Sequence, residues 1–271
     1  MNYHRPGQFQ MLPPAVKNLL IINGLFFLAT ISLERIGINL TNMFGLHYFE
    51  SEYFEPYQFV TYMFMHGGYS HIFFNMFALW MFGNSLENLW GSKRFLTFYF
   101  VTGIGAALLQ TAVNFWTITE LKTAIAAYHA MPTPENFLAL INEYLPGFPV
   151  NTGFIREWQL DPTNTAYINE TYKFINDALQ LKINIPTVGA SGAIFGLLLA
   201  FGMMFPNAII YIYFAIPMKA KYFVILYGLL ELFGGVMNQP GDNVAHFAHL
   251  GGMVFGYFMI RYWKKNQFKI Y

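Results

Sequence analysis

Gly189-Ala190-Ser191-Gly192-Ala193-Ile194-Phe195-Gly196-Leu197-Leu198-Leu199-Ala200-Phe201 reads as a helix of small and apolar residues. It sits inside residues 184–218, which hold no charged side chain. Crossing the hydrocarbon core of a bilayer takes about 20 mostly apolar residues. The uncharged stretch is too long for one crossing, and Pro206-Asn207 divides it. The pattern predicts one span over 187–205, a connection, and a fifth span over 222–236.

Four further stretches fit the same requirement. Residues 15–33 end at Glu34-Arg35, 95–116 hold no charge, and 243–260 lie between Asp242 and Arg261. Another begins at His71 and fades by Leu86-Glu87. Composition agrees: 55% of the 271 residues are hydrophobic and 11% charged, against about a quarter charged in a soluble domain. Mean hydropathy is +0.37. A net charge of +1 offers nothing to a nucleic acid, and the absence of cysteine excludes thiolate zinc sites and cysteine nucleophiles. The first residues carry no signal-peptide pattern, so the first span is expected to remain as an anchor.

The fold class is therefore all-α, a polytopic membrane bundle of six transmembrane helices with an insertion between the third and fourth. Residues 1–14 are read as a cytoplasmic segment, 15–116 as spans one to three and 117–186 as an extracytoplasmic helical insertion. Residues 187–263 hold spans four to six, and 264–271 form a cytoplasmic tail. Lys and Arg concentrate beside the termini and the second and fourth loops, including Lys93, Arg94, Lys219, Lys221, Lys264 and Lys265. By the positive-inside bias, both termini are cytoplasmic. Within the insertion, Thr133-Pro134-Glu135 reads as N-cap, first-turn proline and first-turn acid. Residues 169–181 space Tyr172, Ile175, Ala178 and Leu179 along one helix face. The insertion reads as a cap, or alternatively as a substrate-recognition element.

Polar groups inside spans are expensive, so each invites a functional reading. Ser191 lies near the outer end of the fourth span among small neighbours that leave its hydroxyl uncovered. A helix N-terminus there would aim free N–H groups at an anion. Taken alone, Gly192 and Gly196 read as helix packing. His249 lies two turns into the sixth span, followed by Gly252 and Gly256, and a neutral imidazole there could take a serine proton. His71 and Asn75 are four apart, so they share a helix face and offer two donors to an oxyanion; capping and interhelical bonding are the bland alternatives. With alternating helix direction, these four side chains fall in one outer layer. Glu231, by contrast, reads as deeper and as a structural hydrogen-bonding group.

These residues together resemble the rhomboid family of intramembrane serine proteases, along nearly the whole chain. The family's His followed by His-x-x-x-Asn matches His66 and His71 to Asn75. Its Gly-x-Ser-Gly matches Gly189 to Gly192, and its Ala-His-x-x-Gly-x-x-x-Gly matches Ala248 to Gly256. The resemblance implies a serine-type endopeptidase with a Ser191–His249 dyad, no acidic third member and no cofactor or metal. It places His249 rather than His246 as base, with His66, Gly189 and His246 as support. It implies a gate formed by the fifth helix and residues 237–243, and transmembrane proteins as substrates within the lipid bilayer. The setting expected is a bacterial inner membrane. Many members carry Trp-Arg in the first outer loop, where this chain has Tyr57-Gln58.

Three other readings compete. An inactive rhomboid-like scaffold would bind membrane proteins without cutting them. A histidine-dependent metal transporter would use His66, His71, His246 and His249 and dispense with Ser191. A membrane metalloprotease would need a His-Glu-x-x-His pattern, which is absent, and a carboxylate near the histidines, which the predicted spans do not offer.

Overall fold

The computed structural model describes residues 10–212, 215–237 and 244–267. Arg5, Asp242, Lys269 and most of the expected 237–243 gate lie outside the described residues. The chain forms α1 (Pro14–Glu34), α2 (Leu40–Phe44), α3 (Gln58–Thr61), α4 (Tyr69–Trp90), α5 (Ser92–Ala130), α6 (Pro134–Tyr144) and α7 (Thr152–Leu160). There follow α8 (Thr165–Asn184), α9 (Ser191–Met204), the strands β1 (Ile209–Ile212) and β2 (Ile216–Lys219), α10 (Ala220–Met237) and α11 (His246–Gln267).

Six helices, α1, α4, α5, α9, α10 and α11, make the membrane bundle, with α9 at its centre. Three of them, α1, α5 and α10, are long and apolar enough to cross a membrane by length and composition. The other three carry the candidate chemistry. α4 and α11 have 22 residues each but include histidines, asparagines and charges. α9 has 14 residues, about 21 Å, less than the roughly 30 Å core, so it reaches its depth inside protein rather than lipid.

Small residues bring α9 and α11 together. A Cβ on Gly252 would collide with the Gly192 carbonyl oxygen, so only glycine permits this crossing. One turn on, a Cβ at Gly256 would meet Phe98 at 3.1 Å and the Gly196 Cα at 3.4 Å. At the other end of the bundle, buried Glu87 accepts from the backbone N–H groups of Ala15 and Val16, both at 2.8 Å, and from Ser92 Oγ at 2.5 Å. A carboxylate thereby satisfies donors that the first turn of α1 cannot satisfy internally. This is why α4 runs on to Trp90: Glu87 ends the apolar run without ending the helix.

The insertion has its own core. α5 continues unbroken past Trp116 to Ala130, 39 residues in all, and supplies Leu121 and Tyr128 as one wall. Phe137, Leu140, Trp158, Ile175 and Ala178 pack onto it from α6, α7 and α8. α6 starts as its sequence predicts, with Thr133 Oγ1 accepting from Asn136 N–H at 3.2 Å. Lys122 of α5 pairs with Glu50 of the first loop.

That first loop is stapled by Gln58, which is fully buried. Its Oε1 accepts from His47 N–H at 3.2 Å, and its Nε2 donates to the carbonyls of Tyr53 at 2.7 Å and Met43 at 3.2 Å. Gln58 is the residue that the resemblance sets against an arginine, and here its amide, not a charge, holds the loop. Two backbone hydrogen bonds, 2.9 and 2.8 Å, join Leu46 to Thr187, tying this loop to the segment that delivers Ser191. Between α9 and α10, β1 and β2 form an antiparallel hairpin that apolar periodicity gave no sign of.

Candidate active site

Ser191 is the first residue of α9, with Ala190 at the N-cap, so the helix starts four residues later than the expected span over 187–205. Its backbone N–H and those of Gly192 and Ala193 have no acceptor within the helix and carry the positive end of its dipole. Gly189 precedes it at φ +122°, in the region that favours glycine. The Gly189 N–H donates to the Tyr62 carbonyl at 2.9 Å, and the Tyr62 hydroxyl donates to the Gly103 carbonyl at 2.7 Å. The turn before the serine is thus anchored to the first loop and, through it, to α5.

His249 lies in the first turn of α11, because that helix begins at His246. The expectation of two turns fails because Asn243, Val244 and Ala245, which precede the helix, were counted into the span. His249 Nε2 is 2.8 Å from Ser191 Oγ. Phe195, one turn after Ser191, lies flat on the imidazole, with centroids 4.1 Å apart and planes 6° from parallel. Tyr227 of α10 also packs on Phe195, with ring centroids 5.0 Å apart.

His71 approaches from α4. Gly67 N–H donates to its Nδ1 at 3.3 Å, so a neutral ring carries its proton on Nε2. That nitrogen lies against Gly189: a Cβ there would be 2.8 Å from it and 3.5 Å from Ser191 Oγ. Glycine therefore opens the gap through which His71 faces the serine. Asn75 is buried, and its Nδ2 donates to the His71 carbonyl at 2.8 Å, holding the helix turn beneath that ring while leaving one amide proton. His66 is buried behind His71, ring centroids 5.1 Å apart.

Glu231 overturns two expectations. It was placed below the catalytic layer, and the histidines were expected to have no carboxylate near them. Instead Glu231 Oε2 is 2.8 Å from His249 Nδ1 and 2.7 Å from His246 Nδ1. Glu231 is buried, with 6% of the residue exposed. The depth expectation fails because Glu231 lies near the end of α10 that meets the start of α11. α10 ends at Met237, only about 9 Å along the axis from Glu231, and α11 starts later than expected. A signal was present in the sequence. Val224, Gly228, Glu231, Gly234 and Gly235 recur at helical spacing and form the face that α10 turns to the bundle. An acid flanked by glycines on one stripe points at a helix, not at lipid.

Glu231, His246 and His249 also form the one group of metal-ligating side chains among the described residues, their ligand atoms within 4.8 Å of one another. Two imidazoles and a carboxylate are a known zinc donor set. Beside them, a cavity of about 260 Å³ is lined by Gln110, Asn114, Thr117, Lys182, Gly234 and His246. Lys182 reaches it from α8 of the insertion and donates to the Tyr144 carbonyl at 3.0 Å; burial holds its ammonium below the ordinary lysine range.

The arrangement joins a serine hydroxyl to an imidazole acceptor, with N–H donors converging from α9 and α4. That is the chemistry of acyl transfer. A model of the rhomboid domain family matches residues 53–120 and 163–265. No curated protein matches the chain.

Proposed function

The chain belongs to the rhomboid family, whose members are generally intramembrane serine proteases, and on that premise we propose that it is an active serine endopeptidase cutting membrane proteins in or near their transmembrane segments. The observation that carries the reading is the 2.8 Å contact of His249 Nε2 with Ser191 Oγ. It argues against the inactive scaffold, which needs neither group in register.

His249 takes the Ser191 proton at Nε2 as Oγ adds to the substrate carbonyl. The Ser191 N–H and His71 Nε2–H, with the remaining Asn75 proton, stabilise the resulting oxyanion. His249 then protonates the leaving amine, and the amine departs. Water, deprotonated by the same nitrogen, hydrolyses the acyl-enzyme. The protein is an integral membrane protein; the positive-inside bias supports cytoplasmic termini and a site at the outer face. Its substrates would be transmembrane proteins reached through the bilayer, and a bacterial inner membrane fits this plan.

The test is cleavage of a single-span reporter protein in liposomes. Ser191→Ala and His249→Ala should abolish it, and His246→Ala should retain more activity than His249→Ala. Undiminished cleavage by Ser191→Ala would remove the assignment. A second reading, metal-dependent hydrolysis, is favoured by the Glu231–His246–His249 donor set. It predicts loss of cleavage on chelation and recovery with zinc, whereas the serine mechanism predicts indifference to chelators.

A further inference from the structure

We propose that Glu231 is a positioning residue for His249, which makes the site a serine–histidine–glutamate relay delivered by three different helices rather than a dyad. The inference rests on the serine protease reading above. An ionised carboxylate only accepts hydrogen bonds. With Glu231 Oε2 2.8 Å from His249 Nδ1, that nitrogen carries the ring proton, and the Nε2 lone pair is left facing Ser191 Oγ at 2.8 Å. The glutamate so selects the one neutral tautomer that can accept the serine proton. When Nε2 takes that proton, the adjacent carboxylate stabilises the imidazolium. No proton passes to Glu231; the Nδ1–H stays on the ring throughout.

Three sides of the imidazole are then accounted for. Phe195 fixes the ring plane, Ser191 faces Nε2, and Glu231 faces Nδ1. Among the described residues, the ionisable groups that face this relay include His246 on α11, which meets the same Oε2 at 2.7 Å, and His71 on α4. His246 holds Glu231 at its place on the shared oxygen. Gly234 leaves the room, since a Cβ there would be 2.6 Å from the His246 ring.

The position on α10 has a consequence. Val224 and Glu231 are the buried side chains of that helix beyond its first residue, while Ile225, Leu229, Leu230 and Phe233 are exposed on its outer face. Any outward movement of α10 withdraws Glu231 from His249. Base alignment is therefore coupled to the packing of the helix that the family resemblance casts as part of the gate.

The test uses the full-length protein in liposomes with the single-span reporter. Glu231→Gln keeps shape and packing, and Glu231→Ala removes the acceptor altogether. Both should lower kcat at least about tenfold with KM within about twofold; the equivalent amide change in soluble triads costs about 10⁴. Thermal melting of the Gln variant in detergent should match wild type, separating positioning from folding. If Glu231→Gln retains wild-type kcat while Ser191→Ala is dead, the relay is wrong and the dyad stands. If wild type does not cut at all, it is the proposed function that fails. A Glu231→Gln variant that melts normally but raises KM with kcat unchanged would also overturn the relay, placing Glu231 in substrate entry instead.

Discussion

Phe195 lies flat on His249, with ring centroids 4.1 Å apart and planes 6° from parallel. The two residues come from α9 and α11, so the nucleophile's own helix fixes the orientation of its base. Phe195 follows Ser191 by one turn, which places the ring directly along the helix from the hydroxyl. Replacing it with leucine keeps apolar bulk and removes the flat contact. Stacked rings contribute about 0.5–1.5 kcal/mol beyond burial. Phe195→Leu should therefore lower kcat roughly two- to tenfold, read from initial rates of reporter cleavage. Rates equal to wild type would show that the base is oriented without the stack.

Gly189 combines a strained backbone with a close neighbour. An alanine there would adopt φ +122° and bring its Cβ 2.8 Å from His71 Nε2. Strain of this kind costs on the order of 1–3 kcal/mol, and the ring must also move from the oxyanion side. Gly189→Ala should reduce cleavage by at least about tenfold, while a thermal scan shows only a modest fall in melting temperature. Full activity would mean that His71 has no part in the reaction.

The α9–α11 crossing yields a graded pair. Gly252→Ala drives a methyl into the Gly192 carbonyl, a backbone atom that cannot step aside. It should abolish activity and lower the melting temperature sharply. Gly256→Ala needs a shift of only a few tenths of an ångström, from Phe98 and Gly196. Its loss should be several-fold smaller in both measurements. Equal effects would contradict the crossing geometry.

Glu87 tests stability apart from chemistry, because it lies at the far end of α4 from His71. Glu87→Ala leaves the Ala15 and Val16 donors and the Ser92 hydroxyl without their acceptor. An unsatisfied buried donor costs about 1–3 kcal/mol, so the melting temperature should drop by several degrees. The specific activity of the folded fraction at low temperature should stay near wild type.

Much of this was legible in the residues. Uncharged length marked the crossings, and α6 began at its predicted cap because Thr133, Pro134 and Glu135 act locally. Ser191, His249 and His71 stand out in the sequence because each is polar in or beside an apolar run with glycines near it, and the structure brings their side chains together. Glu231 was seen but misplaced. Its role depends on where α10 ends and α11 begins, and Pro240-Gly241-Asp242-Asn243 reads as a turn between them without fixing how far each helix runs into it. The unbroken α5 was missed for a similar reason. The polar residues after Trp116 end the hydropathy signal, yet they continue a helix whose partners are the insertion's own core. The β1–β2 hairpin was hidden because an apolar four-residue strand and an apolar helix turn look alike in composition.

The central claim is that Ser191 is a nucleophile activated by His249. The direct measurement is covalent labelling of the membrane-reconstituted protein with a fluorophosphonate, followed by mass analysis of the modified peptide. The account predicts one phosphonate on Ser191, lost in Ser191→Ala and at least about a hundredfold slower in His249→Ala. Labelling of another residue, or labelling of Ser191 at an unchanged rate in His249→Ala, would contradict it.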